Sequence, residues 1–220
     1  MNRAVRFYQA AIGKKVVMGV TGLIGVGFVI GHMAGNLLVF RGPEAINSYS
    51  QFLKSTGELL WIVRLVLIGA VVLHVIAAVQ LTLQNRAARP IGYVDRKPQV
   101  TTLASRTMRW GGALLLIFIV VHILHFTTGT IRPAGVYSDV DVYGNIVASF
   151  HLWWVTFFYV ASMIALGLHL YHGAWSSVRS LGYAHPSEEP LHRTIALAVA
   201  VVAWLGFTAI PVAVFAGLIG

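Results

Sequence analysis

The sequence predicts an all-α integral membrane bundle of five transmembrane helices, N terminus cytoplasmic and C terminus outside, forming a single domain over residues 1–220. Three observations predict it. Hydrophobic residues make up 57% of the chain and charged residues 10%, whereas an ordinary soluble domain carries about a quarter charged residues. A chain with so little polar surface belongs in lipid. Five apolar stretches are long enough to cross a bilayer, which takes roughly 20 helical residues. The basic residues, finally, gather on one side of those stretches.

The first span, Val16–Phe40, follows a basic arm of Arg3, Arg6, Lys14 and Lys15. It exceeds the ~7–15-residue apolar core of a signal peptide, and its last third carries polar residues that a disposable segment does not need, so it is expected to be retained. The second span, Leu59–Leu83, starts after Glu58 and ends before Arg86. A basic loop from Gln84 to Thr107, punctuated by Pro90 and Pro98, leads to the third span, Trp110–Thr128. The fourth, Ile146–Val178, and the fifth, Thr194–Leu218, complete the bundle. The fifth has neither histidine nor charge, and its Pro211 reads as the kink of a lipid-facing helix. Of the 16 Lys+Arg, all but Arg41, Lys54, Arg64 and Arg132 lie on the N-terminal side, which insertion keeps cytoplasmic. Trp61, Trp153 and Trp154 at the outer ends and Trp110 and Trp175 at the inner ends fit an interfacial aromatic belt.

The chain has no cysteine, which excludes disulfides, thiolate zinc sites, iron–sulfur clusters and c-type haem. The net charge of +9 would suggest nucleic acid in a soluble protein; here it marks membrane topology, and no nucleic-acid partner is expected.

Six of the nine histidines fall inside spans: His32, His74, His122, His125, His169 and His172. Ionisable groups at membrane depth are costly, and six on four of five helices point to a shared buried ligand. Zinc transport sites add carboxylates, which the spans lack at histidine depth. Haem needs two axial imidazoles from facing helices and room for a flat macrocycle. Small residues supply that room: Gly31 and Gly35 beside His32, Ala70, Ala77 and Ala78 around His74, Ala165 and Gly173 around His169. The series Gly27, Gly31, Gly35 equally suits close helix packing.

At ~1.5 Å rise per residue, His32 lies about 25 Å from Lys15, and His122 and His125 about 20 and 24 Å from Arg109. His74 lies about 18 Å from Arg86, and His169 and His172 about 15 and 10 Å from Arg179. The histidines thus form an outer layer on the first and third helices and an inner layer on the second and fourth. Two bis-histidine haems stacked across the membrane are expected. Each pair at three-residue spacing points to one helix face, so spacing leaves His122 or His125 and His169 or His172 open; depth slightly favours His125 and His169. The spare histidine of each pair is available to a haem propionate or a quinone.

Four blocks carry a family resemblance: GHMAGNLLVFRGPEAINSYSQFL (31–53), His74 followed by NRAARPIGY (85–93), SRTMRWGGALLLIFIVVHILHFT (105–127) and GLHLYHGAWSSVRSLG (167–182). From Lys15 to Gly182 the chain resembles the di-haem cytochrome b anchor subunit of succinate dehydrogenase and fumarate reductase, in its single five-helix form. The resemblance implies axial ligands at His32, His74, His122 and His169, with His32 paired to His122 in the outer layer and His74 to His169 in the inner one. It implies two b haems, a membrane quinone (menaquinone in preference to ubiquinone), and flavoprotein and iron–sulfur partner subunits that bear the dicarboxylate site and relay electrons. It also implies a multi-pass place in a bacterial inner (plasma) membrane. Some relatives carry a glutamate two residues before the fourth ligand histidine; this chain has Gly167, so that proton route is not expected. Outer quinone-site candidates are Asn36, Tyr49, Glu58 and His151, and inner ones Lys15, Arg86, Trp110 and His172. The alternatives are a di-haem cytochrome b subunit of another quinone-linked dehydrogenase, which copurifying soluble subunits would reveal, and a histidine-lined metal transporter, which would bind zinc and lack a Soret band.

Overall fold

A computed structural model describes residues 2–88, 102–183 and 188–220. The described chain is helical: α1 (Arg3–Gln9), α2 (Ala11–Asn36), α3 (Pro43–Ser55), α4 (Glu58–Ala87), α5 (Leu103–His122), α6 (Val142–Phe150), α7 (Trp153–Ser180) and α8 (Glu189–Phe215). A 3₁₀ turn over Leu37–Arg41 extends α2, and a π-helical turn over Ile123–Thr127 extends α5. Five helical segments are long and apolar enough to cross a membrane: Ala11–Arg41, Glu58–Ala87, Leu103–Thr127, Trp153–Ser180 and Glu189–Phe215. Pro90, Pro98, Arg89, Arg96 and Lys97 of the basic loop lie outside the described residues.

Local chemistry sets the ends. α5 opens on a reciprocal cap in which the Ser105 N–H donates to Thr102 Oγ1 and the Thr102 N–H to Ser105 Oγ. It therefore begins at Leu103, and Trp110 sits two turns inside it rather than at its end. The fourth spanning helix starts at Trp153, not Ile146. The apolar run does continue through Ile146, but α6 ends at Phe150, and the Thr156 hydroxyl donates to the Phe150 carbonyl across the His151–Leu152 turn. Gly42 and Gly57, at φ of 94° and 53°, turn the chain into and out of α3 with left-handed backbone that a side chain would strain.

α2 packs against α4 and α7, α5 against α7, and α8 along α7 with further contact to α2. The expectation of a purely lipid-facing last helix is corrected here. Ala196, Ala200 and Ala203 form a buried stripe that lets α8 lie close to α7. Met33 of α2 reaches across to Gly206, where a Cβ would stand 2.4 Å from its sulfur. Gly167 faces this seam: an added Cβ would stand 3.4 Å from Trp204 Cβ, so a long acidic side chain would meet Trp204.

At the end opposite α1, Asn47 clamps α3 to α6. Its amide donates to Asp141 Oδ1 (3.1 Å), its oxygen accepts the Tyr143 N–H (3.0 Å), and Asp141 caps α6 through the Gly144 N–H (3.0 Å). The Gly144 N–H, then the Asn47 amide, hold the Asp141 carboxyl below its ordinary range. A depressed carboxyl stabilises the fold above its unfolded pKa and loses that contribution as pH falls through the lowered value, so thermal stability should decline below about pH 4. Asn47→Ala should cost about 1 kcal/mol per lost hydrogen bond and blunt that acid dependence, as read by circular dichroism melts in detergent.

Candidate metal centre

Two histidine pairs face each other across the bundle. The His32 and His122 ring centroids are 5.8 Å apart with planes at 83°, and those of His74 and His169 are 6.1 Å apart at 55°. The helices involved are α2 with α5 and α4 with α7, and neither combination is among the closely packed helix pairs of the described residues. Each pair therefore spans a diagonal left open by the packing. On α2, Thr21 touches His74 whereas His32 meets His122, an offset of about 16 Å along the helix. The two pairs therefore lie at different levels along the bundle.

Two imidazoles bonded to opposite sides of one metal at ~2 Å set their ring centres about 6 Å apart. Both pairs meet that separation, and rotation about a shared axis leaves the interplanar angle free. Among the described residues no three His, Cys, Asp or Glu side chains gather in one group, whereas a protein-only zinc site needs three or four donors. The donors come in twos, as axial ligation of a metalloporphyrin requires.

The ring nitrogens sharpen the assignment. Thr21 Oγ1 donates to the Val17 carbonyl (2.7 Å) and lies 3.1 Å from His74 Nδ1. With its own proton so used, it accepts one from Nδ1, which leaves the His74 Nε2 lone pair for a metal. His169 Nδ1, by contrast, is buried without a hydrogen-bond partner. A cavity of about 270 Å³ opens between α5 and α7 beside His169, lined in part by Trp110, Gly111, Ala161 and Ala165. Around the outer pair, Phe28 stacks on His32 (5.1 Å) and Phe118 on His122 (5.4 Å), with Phe207 and Phe126 close by. These are walls suited to a flat apolar ligand.

His125 is not free. Its Nδ1 lies 3.0 Å from the Tyr159 hydroxyl and its Nε2 2.9 Å from Ser149 Oγ, so both nitrogens are held by protein. The shared face expected for His122 and His125 assumed an α-helix. That face survives the π-helical turn after His122, since both rings lie against Phe126 and Tyr159, and His125 alone reaches Ser149. His172 lies edge-on to Trp175 (5.5 Å), its Nδ1 is buried without a hydrogen-bond partner like that of His169, and among the described residues no ring contact joins it to His74.

The other expected residues are scattered. Asn36 donates to the His32 carbonyl (2.7 Å), and the Tyr49 ring fills the space where a Gly35 Cβ would stand. Gly31 has open space at its Cβ position. Glu58 and His151 are exposed, on the first turn of α4 and at the end of α6; Lys15 and Arg86 are exposed at the opposite end. Thr21, Tyr159 and Ser149 are site residues that sequence reading missed, although a hydroxyl at membrane depth is itself a signal.

No protein-family model, curated protein or solved structure matches the chain. The geometry itself yields a test: if the His74–His169 pair holds a metalloporphyrin, Thr21→Val should weaken its binding there about 10–100-fold, the usual effect of removing a hydrogen bond from a ligating histidine. Titration of the apoprotein with haem, read at the Soret band, checks it.

Proposed function

We propose that the chain is the membrane anchor and cytochrome b subunit of a succinate:quinone oxidoreductase or a quinol:fumarate reductase, passing electrons between an iron–sulfur subunit and a membrane quinone. The observation that carries the reading is the two facing histidine pairs, each at the separation of one axially ligated iron and each on helices that do not pack together. When bound, two b haems supply two one-electron centres in series. His32 with His122 and His74 with His169 fix those centres, Thr21 sets the tautomer of His74, and the aromatic walls exclude water.

Arg3, Arg6, Lys15, Arg86, Arg109 and Arg179 lie at the end that holds α1, which becomes the cytoplasmic face of a bacterial cell membrane and the docking side for the flavoprotein and iron–sulfur subunits. The C terminus then lies outside. At this basic end, Arg179 and Arg193 flank the Trp175 ring at 5.4 and 4.5 Å, anchoring α7 and α8 at the interface. Trp110, on the cavity beside His169, is the inner residue best placed to meet a quinone. On the outer side, Asn36 and Tyr49 both abut the C-terminal end of α2, one turn beyond His32.

A pyridine haemochrome count on the purified protein should give two haems per chain. Single replacement of His32, His74, His122 or His169 by Ala should remove one equivalent, while His125→Ala and His172→Ala should retain two. A colourless preparation, or one equivalent in the unaltered chain, would overturn the proposal. Glu58→Gln should keep both haems and slow quinone turnover; unchanged turnover would remove Glu58 from the reaction.

A further inference from the structure

A buried hydrogen-bonded chain leads away from the outer histidine pair. His122 Nδ1 lies 3.5 Å from the Tyr159 hydroxyl, which lies 3.0 Å from His125 Nδ1, and His125 Nε2 lies 2.9 Å from Ser149 Oγ. Tyr159, His125 and Ser149 are 6%, 4% and 4% exposed, so water does not compete for these groups. Tyr159 has one proton and two imidazole nitrogens to receive it. If it donates to His122 Nδ1, the His122 proton sits on Nε2, and that nitrogen is closed to a metal. If it donates to His125 Nδ1, its oxygen is left to accept from a His122 Nδ1–H, and His125 Nε2–H is directed at Ser149. Ligation through His122 Nε2 selects the second sense.

The geometry points to Tyr159 as a positioning residue that accepts the His122 Nδ1 proton and sets the reduction potential of the outer centre, with His125 and Ser149 holding the tyrosine proton away from His122. This inference rests on the di-haem reading. An acceptor on Nδ1–H makes an imidazole a stronger donor to its metal, which favours the oxidised form. Donation from Tyr159 to His125 polarises the tyrosine oxygen and strengthens that acceptor. The inner pair is built differently: Thr21 serves His74, and His169 Nδ1 has no partner. The effect is therefore confined to one of the two centres.

Redox titration of the purified holoprotein, followed in its visible bands and low-spin ferric resonances, tests the assignment. The unaltered protein must show two bis-imidazole haems; without them the di-haem reading falls and takes this inference with it. Given two, Tyr159→Phe is expected to retain both and to raise one midpoint potential only. The ferrous-to-ferric ratio of that centre should change about tenfold at fixed ambient potential, equivalent to about 59 mV for one electron, and its resonance should shift. His125→Asn, whose amide oxygen still takes the tyrosine proton, should move the same potential less than His125→Leu. Unmoved potentials in Tyr159→Phe, or equal movement of both, overturn the role of Tyr159 and leave the di-haem reading standing. Should Tyr159→Phe fail to hold the outer haem, the His125 variants decide, and equal potentials in the two overturn the assignment.

Discussion

An imidazole set in hydrocarbon has two ring nitrogens to satisfy and no water to satisfy them, and that requirement organises the middle of this bundle. The histidines answer it in graded ways. His125 is satisfied at both nitrogens by Tyr159 and Ser149. His74 is served at one by Thr21, and His122 makes one long contact to Tyr159. His169 lacks a partner at Nδ1. His172 shares that lack at Nδ1, whereas His32, His74, His122 and His169 face one another in pairs. Intramembrane hydrogen bonds are worth roughly 0.6–2 kcal/mol each, so rings left facing without a bond are a standing cost. A ligand between each pair removes it.

The histidine-free helix has a share in this arrangement. α8 carries no ligand, yet it braces α7 through its alanine stripe and grips α2 through Met33 and Gly206. α7 in turn supplies His169, Tyr159 and Trp175. Gly167 belongs to the same seam: it faces Trp204 and the Ala200 carbonyl rather than the opening between the histidine pairs. The chain uses this position to bring two helices together.

Much of the fold was legible because membrane depth and hydropathy are nearly one-dimensional. The five spans, and two layers of histidines on the first and third helices and on the second and fourth, follow from where apolar runs and basic residues fall along the chain. What stayed hidden depends on contacts across the chain. Hydropathy runs on through Ile146 and Phe150, and only the Thr156 hydroxyl on the Phe150 carbonyl reveals a break. The choice between His122 and His125 was closed to periodicity because the two share a helix face, and only the hold of Ser149 and Tyr159 on both His125 nitrogens tells them apart. The alanines at 196, 200 and 203 read as generic apolar residues until α7 is placed against them. Thr21, Tyr159 and Ser149 were lost among apolar neighbours for the same reason, since a hydroxyl declares its use only when the ring it serves is in view.

The packing also bears on how the bundle holds together. Only 11% of the apolar windows of α4 and α5 is buried inside the chain; α4 leans on α2, and α5 leans on α7. Protein contacts thus form two helix pairs, joined where α2 meets α7, with the diagonals open between them. A ligand bonded to His32 and His122 ties α2 to α5, and one bonded to His74 and His169 ties α4 to α7. Each crosses a diagonal that side-chain packing leaves open. Whatever binds the folded chain and not the unfolded one stabilises it by RT ln(1 + L/Kd), where L is its free concentration. In the proposed reading the axial ligands therefore have a structural role as well as an electronic one: the groups that carry electrons through the bundle also close it.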